Sequence, residues 1–209
     1  MMAAETEIAG KKTVADWQKQ KASLVVGGDP GPWKEAYEAF FRARLKTRYF
    51  APIDVIKTIP TKNGEGFSIV AIQCSLIEFL GATLEGKSYK YSRNGKPKLG
   101  DWEYSDSKKM FVSFLRNQPP FKEMFSDEKT AEDFYASVRC GLLHEARTKG
   151  AWRIRVDGTV AIDTDQKVVD RNKLQTAFET FVAWYGEALP ADKNLQEAFI
   201  RKFDSLCED

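Results

Sequence analysis

Histidine occurs once in this 209-residue chain and cysteine three times, at Cys74, Cys140 and Cys207. A single imidazole cannot build a histidine-based metal cage, and the dispersed thiols lack the Cys-x-x-Cys spacing of a ligand pair. No metal site and no cofactor are therefore expected, since only carboxylates would be left to hold a cation. An odd, scattered set of cysteines also argues against a disulfide framework and reads as reduced thiols in a cytoplasm. Charge of one sign is lacking too: the net charge is +2 and the pI about 8.3, too mild to diagnose nucleic-acid binding alone. Residues Met1 to Lys12 hold no apolar stretch of the kind a secretory signal needs. The longest apolar run, Phe67 to Leu84, is interrupted by Gln73, Ser75 and Glu78 and barely reaches spanning length, so no membrane segment is expected.

What is present is the composition of an ordinary globular protein, 43% hydrophobic and 30% charged, with length enough for a sizeable core in one domain over 1–209. Thr13 to Val26 predicts an amphipathic helix closed by Gly27 and Gly28. Pro32 stands early in the next helix, where its missing N–H is no loss. Trp33, Tyr37, Phe40, Phe41, Leu45 and Tyr49 then recur at spacings of three and four, giving that helix a wide aromatic face. Phe67 to Leu84 is too long for a strand and predicts a buried helix. Gly86 to Ser105 reads as a polar loop, and Ser107 to Asn117 as a short helix stopped by Pro119 and Pro120. Thr130 with Asp133 has the spacing of a capping box, opening a helix through about Arg147. Along it, Phe134, Val138 and Leu142 mark a packing stripe.

After Gly150 the period shifts from helical to alternating. Trp152, Ile154 and Val156 precede an Asp157-Gly158 turn and the run Thr159 to Ile162, which predicts a β-hairpin. A glycine bulge at the turn would pair Val156 with Val160 and Ile154 with Ile162, keeping both apolar sets on one face. Two further helices, about Arg171 to Ala188 and Ala191 to Cys207, complete a mainly α bundle carrying one hairpin. The expected regions are N-terminal helices (1–66), a helical core (67–150), the hairpin (151–170) and C-terminal helices (171–209).

Three constellations carry chemistry. The string from Gly81 to Ser88 spells G-x-x-x-x-G-K-S, a phosphate-loop pattern and hence a nucleotide-binding alternative. That motif needs a strand before it and a helix after it, whereas here a helical stretch comes first and Gly95 and Pro97 forbid a helix later. The second is a run of cations interleaved with aromatics: Lys87, Tyr89, Lys90, Tyr91, Arg93, Lys96 and Lys98, followed by Trp102 and Tyr104. Such a pattern suits single-stranded RNA, with charges on phosphates and rings on bases; a solvated loop packing its rings back on the bundle is the alternative. The third is Arg139 and the lone His144 on one predicted helix, with Arg147 nearby. Imidazole exchanges protons near neutral pH, and a guanidinium neutralises phosphate charge. A histidine hydrogen-bonded in the bundle and an arginine paired with an acid would leave the same letters.

The arrangement Arg139, four residues, His144, late in a helical bundle and after Phe134-Tyr135, resembles the R-x4-6-H signature of the HEPN superfamily. The earlier apolar helix with an inward acid, Leu76 to Leu80 around Glu78, is of the kind those bundles carry. The family position after the arginine is usually polar, often asparagine; this chain has Cys140. The resemblance implies a HEPN-like helical bundle acting as a metal-independent ribonuclease, toxin or antiphage defence component. It implies a cytoplasmic homodimer sharing one cleft, RNA as substrate, and a protein inhibitor or antitoxin as a further partner. Arg139 and His144 would then be catalytic, with Arg147 and Glu78 as auxiliaries. Some members of the superfamily are non-catalytic binding or dimerisation modules, and that alternative stands beside the first.

Overall fold

The computed structural model describes residues 6–59, 64–91 and 98–208. Among these, seven helices make up 63% of the chain and only short strands join them, so the mainly α expectation holds. Cα proximity divides the chain into two compact units, one of Met1–Pro52, Ala82–Ser105 and Val182–Asp209, the other of Ile53–Gly81 and Asp106–Phe181.

In the first unit, β1 (Glu7–Ala9) and β2 (Lys12–Thr13) form an antiparallel ribbon leading into α1 (Val14–Lys21). Thr13 caps α1 through a reciprocal box with Asp16, satisfying amides the first helical turn would otherwise leave open. Helix α2 (30–57) starts at Asp29, whose carboxylate accepts the Gly31 amide, and holds Pro30 and Pro32 in its first turn. It carries wider i→i+5 winding over Tyr37–Arg42 and Lys46–Phe50. Its expected aromatic face is real: Trp33, Tyr37, Phe40, Phe41 and Leu45 are buried. Trp17 sits against Phe40 with ring centroids 5.2 Å apart and against Phe203 at the same distance. Phe199 and Phe203 come from α7 (Lys193–Ser205). Trp17 Nε1 donates to Asp204 at 2.9 Å and Tyr37 Oη to the Val182 carbonyl at 2.9 Å, so the polar ends of buried rings are satisfied.

The second unit holds the first part of α3 (Glu65–Glu85), α4 (Ser107–Asn117), α5 (128–145) and the start of α6 (Arg171–Ala188). Helix α3 is long and apolar enough to cross a membrane, but 56% of that window is buried within the protein, as in a core helix. Phe114 packs on Phe181 at 5.0 Å, Phe121 on Phe178 at 5.1 Å and Phe134 on Trp152 at 5.2 Å. The Phe134, Val138 and Leu142 stripe is buried as expected. Helix α5 opens differently from the sequence reading. Asp127, not Thr130, is its cap, accepting the Thr130 amide at 2.8 Å. Asp133 lies a turn inside the helix and takes hydrogen bonds from Ser137, Trp152 and Lys167.

The predicted hairpin is also corrected. Strand β5 (Arg153–Arg155) pairs in parallel with β7 (Val168–Asp170), and β7 pairs antiparallel with β6 (Ile162–Asp163), giving the order β5-β7-β6. Residues 156–161 form the connection, and Val156 and Val160, assigned above to one buried face, are exposed. The cause is Asp170, a buried carboxylate at the end of β7. One oxygen accepts the Gly158 amide at 2.7 Å, and the other accepts the amides of Asn172 and Lys173 at the start of α6. The Asp157-Gly158 pair is drawn to that carboxylate rather than into a tight turn. The true turn lies at 164–167, where Lys167 adopts φ +52°.

Candidate active site

Helix α5 carries both residues of the arginine–histidine pair in the second unit, and they fare differently. Arg139 lies in the i→i+5 stretch Tyr135–Cys140. Its Nη2 is 3.8 Å from Glu78 Oε2, both side chains being about four-fifths buried (21% and 18% exposed). Its guanidinium carbon stands 5.2 Å from the Tyr135 ring centroid, and Nη1 lies 3.9 Å from Cys140 Sγ. Glu78 in turn accepts from Ser107 Oγ at 2.7 Å. The acid that the resemblance names is thus beside the arginine, and α3, α4 and α5 each supply part of its setting. Nearby Cys74 is fully enclosed, and burial pushes its thiol up to about 12. Burial also raises the Tyr135 hydroxyl, Arg139 opposing the shift. Both therefore stay neutral at pH 7.

His144 is exposed in the last turn of α5. Among the described residues its imidazole has neither a hydrogen bond nor an ion pair. It stands five residues beyond Arg139, about 7.5 Å along the helix axis. Two local features set it there. Ala146 takes the left-handed conformation, φ +52°, and ends the helix. The chain then turns back so that a Cβ on Gly141 would lie 2.6 Å from the Arg147 carbonyl oxygen, an approach only glycine permits. Arg147 consequently lies past the helix end, not on it between the pair, and binds Glu145 through Nε and Nη2 at 3.3 Å. Lys149 also pairs with Glu145. Sequence reasoning missed Ser107, Tyr135 and Gly141. The glycine in the middle of a periodic helix was the one available signal.

The cationic, aromatic segment belongs to the first unit. Lys87 pairs with Glu85 at 2.7 Å, and Lys90 with both oxygens of Glu103 at 2.9 and 3.0 Å. Tyr89, Tyr91 and Lys98 are exposed; Arg93 and Lys96 lie outside the described residues. Part of the expected polar loop is ordered as β3 (Ser88–Tyr89) in parallel with β4 (Glu103–Tyr104).

The Gly81–Ser88 string does not form a phosphate loop. It is the C-terminal end of α3, where the dipole is negative rather than positive. The Gly86 and Lys87 amides donate to the carbonyls of Thr83 and Ala82 at 3.2 and 2.9 Å, closing the helix as a left-handed cap does. They are not free to wrap an anion.

Comparison with protein-family models, curated proteins and solved structures finds no match.

Proposed function

We propose that this chain is a metal-independent RNA endonuclease of the HEPN type, with Arg139 and His144 as its catalytic pair. The observation that carries the reading is an exposed, unengaged imidazole on the same helix as an arginine braced by a carboxylate and an aromatic ring. In the reaction the RNA 2′-oxygen attacks its own phosphorus, the P–O5′ bond breaks, and a 2′,3′-cyclic phosphate and a 5′-hydroxyl result. One imidazole takes the 2′-hydroxyl proton and a second, from another copy of the chain, protonates the leaving 5′-oxygen. Arg139 stabilises charge on the phosphorane oxygens, while Glu78 fixes the direction of its guanidinium. Arg147, once released from Glu145, adds a phosphate contact. The working form is a cytoplasmic homodimer serving as a toxin or defence component under an inhibitory partner.

A second reading has its own support. Arg139 is already engaged with Glu78, so the same bundle suits a non-catalytic binding or dimerisation module. Purified protein incubated with end-labelled single-stranded RNAs in EDTA separates the two. Cleavage to cyclic-phosphate ends, reduced about 10²- to 10⁴-fold in His144→Ala with an unchanged circular-dichroism spectrum, supports the nuclease. Intact RNA across a varied panel with folded wild-type protein refutes it in favour of the module.

A further inference from the structure

The first unit buries Trp17, Trp33, Tyr37, Phe40, Phe41, Phe199 and Phe203, yet leaves other rings open to solvent on one short segment. Tyr89 is 50% exposed, Tyr91 71% and Trp102 52%. Trp102 is not simply unpacked. The Arg201 guanidinium of α7 lies over its ring, 3.7 Å from the centroid, so one ring face rests on a cation while half the residue's surface stays accessible. Beneath it, Arg201 Nε is buried with no hydrogen-bond partner, and its nearest acid, Glu197, is 3.7 Å away. The positive charge under the indole is therefore only lightly compensated.

The backbone holds Tyr89 and Trp102 in place. Ser88 N–H donates to the Trp102 carbonyl at 2.9 Å and Lys90 N–H to the Tyr104 carbonyl at 2.8 Å. Glu103 clasps Lys90 and accepts the Gly100 amide at 2.6 Å, closing the turn that carries Trp102. Tyr104 meets Tyr89 edge-on at 5.5 Å. The segment's charge is positive by sequence, Lys87, Lys90, Arg93, Lys96 and Lys98 against Glu85, Asp101 and Glu103. Lys98 has no ion-pair partner among the described residues.

We propose that Tyr89, Tyr91 and Trp102, the last backed by Arg201, form a stacking platform for single-stranded RNA. Open π-faces on a segment whose sequence is net cationic suit an anionic backbone with splayed bases. They suit a duplex poorly, because its bases are stacked inside. The choice of RNA rests on the nuclease reading above, but the platform itself would hold strand without cutting it.

The test uses full-length His144→Ala protein and fluorescein-labelled oligo(U) of twelve nucleotides, an abasic strand of equal length and a blunt RNA duplex, read by anisotropy. Trp102→Ala should weaken oligo(U) binding about 5- to 100-fold, as loss of one stacked base does. It should leave the abasic strand's affinity unchanged, and Trp102→Phe should recover most of the loss. Equal affinity of Trp102→Ala and its parent for oligo(U), or an abasic strand bound as tightly as oligo(U), overturns the proposal. So does the absence of binding to any strand, which would leave the face to a protein partner. The two readings fail separately. Trp102-dependent binding by a wild-type protein that never cuts refutes only the nuclease. Cleavage whose KM ignores Trp102 refutes only the platform.

Discussion

Alanine at each glycine of the Gly81–Ser88 string should have opposite consequences, and the difference can be worked from the structure. A Cβ on Gly81 would meet the Met110 thioether sulfur at 3.1 Å and the Met110 carbonyl at 3.4 Å. The thioether is adaptable and gives way for well under the full cost of overpacking. Replacing a mid-helical glycine gains about 1 kcal/mol, so Gly81→Ala should remain within about 1 kcal/mol of wild type. Gly86 sits at φ +64°, and a Cβ there would lie 2.7 Å from Ala198 Cα and 2.8 Å from its carbonyl oxygen. The left-handed conformation costs an alanine roughly 1–2 kcal/mol. Those contacts are backbone of α7 and cannot yield without shifting the helix, adding roughly 1–3 kcal/mol. The total of about 2–5 kcal/mol is a large share of the 5–15 kcal/mol typical of a folded domain. Urea unfolding followed by tryptophan fluorescence reads it directly. With a slope of about 2–3 kcal/mol per molar, the Gly86→Ala midpoint should fall by roughly 1–2 M and the Gly81→Ala midpoint should scarcely move. Equal midpoints for the two variants would refute the assignment of this string to a packed helix end.

Two further predictions concern packing and pH. Burial alone would raise the Asp133 carboxyl, but hydrogen bonds from Trp152, Ser137 and Lys167 outweigh it and hold the group below its ordinary 3.8. Its stabilisation is thus present above the unfolded-state value near 4 and lost as pH falls through the lower folded-state value. The gap in urea midpoint between wild type and Asp133→Asn should narrow below about pH 4; a gap independent of pH contradicts this. Gly186→Ala would place a Cβ 2.5 Å from Tyr37 Cζ, and that ring is held by Phe41 and by its bond to the Val182 carbonyl. Overpacking of about 1–3 kcal/mol exceeds the helix gain of about 1 kcal/mol, so calorimetry should show a Tm lower by a few degrees, and an unchanged or raised Tm rejects the clash.

Helix positions were legible where one signal acted alone. Ser107–Asn117 and Arg171–Ala188 stand at the expected bounds, because periodicity and flanking breakers agreed. Misreadings came where a distant group outbid a local pattern. Asp157-Gly158 has the letters of a hairpin turn, but Asp170, twelve residues on, captures the Gly158 amide. Thr130 and Asp133 have capping-box spacing, yet Asp127 lies at the helix start and Asp133 is claimed by Trp152 and Lys167. At the candidate site, Glu78 is named only through the HEPN resemblance, and it stands 3.8 Å from Arg139. The position of Arg147 was not foreseen, because a left-handed alanine leaves no mark in sequence. Nor could sequence place Arg201 under Trp102, two residues that are neighbours only in three dimensions.

The carboxylate of Asp170 ties two pieces of architecture into one inheritance. The crossing between β5 and β6 and the first turn of α6 share a single acid, so neither can be exchanged alone. A loop grafted from another protein would need its own glycine amide at the right reach. A new helix opening would need an aspartate with a spare oxygen facing backward. Variation in this region should therefore arrive as a block, swapped whole or left untouched.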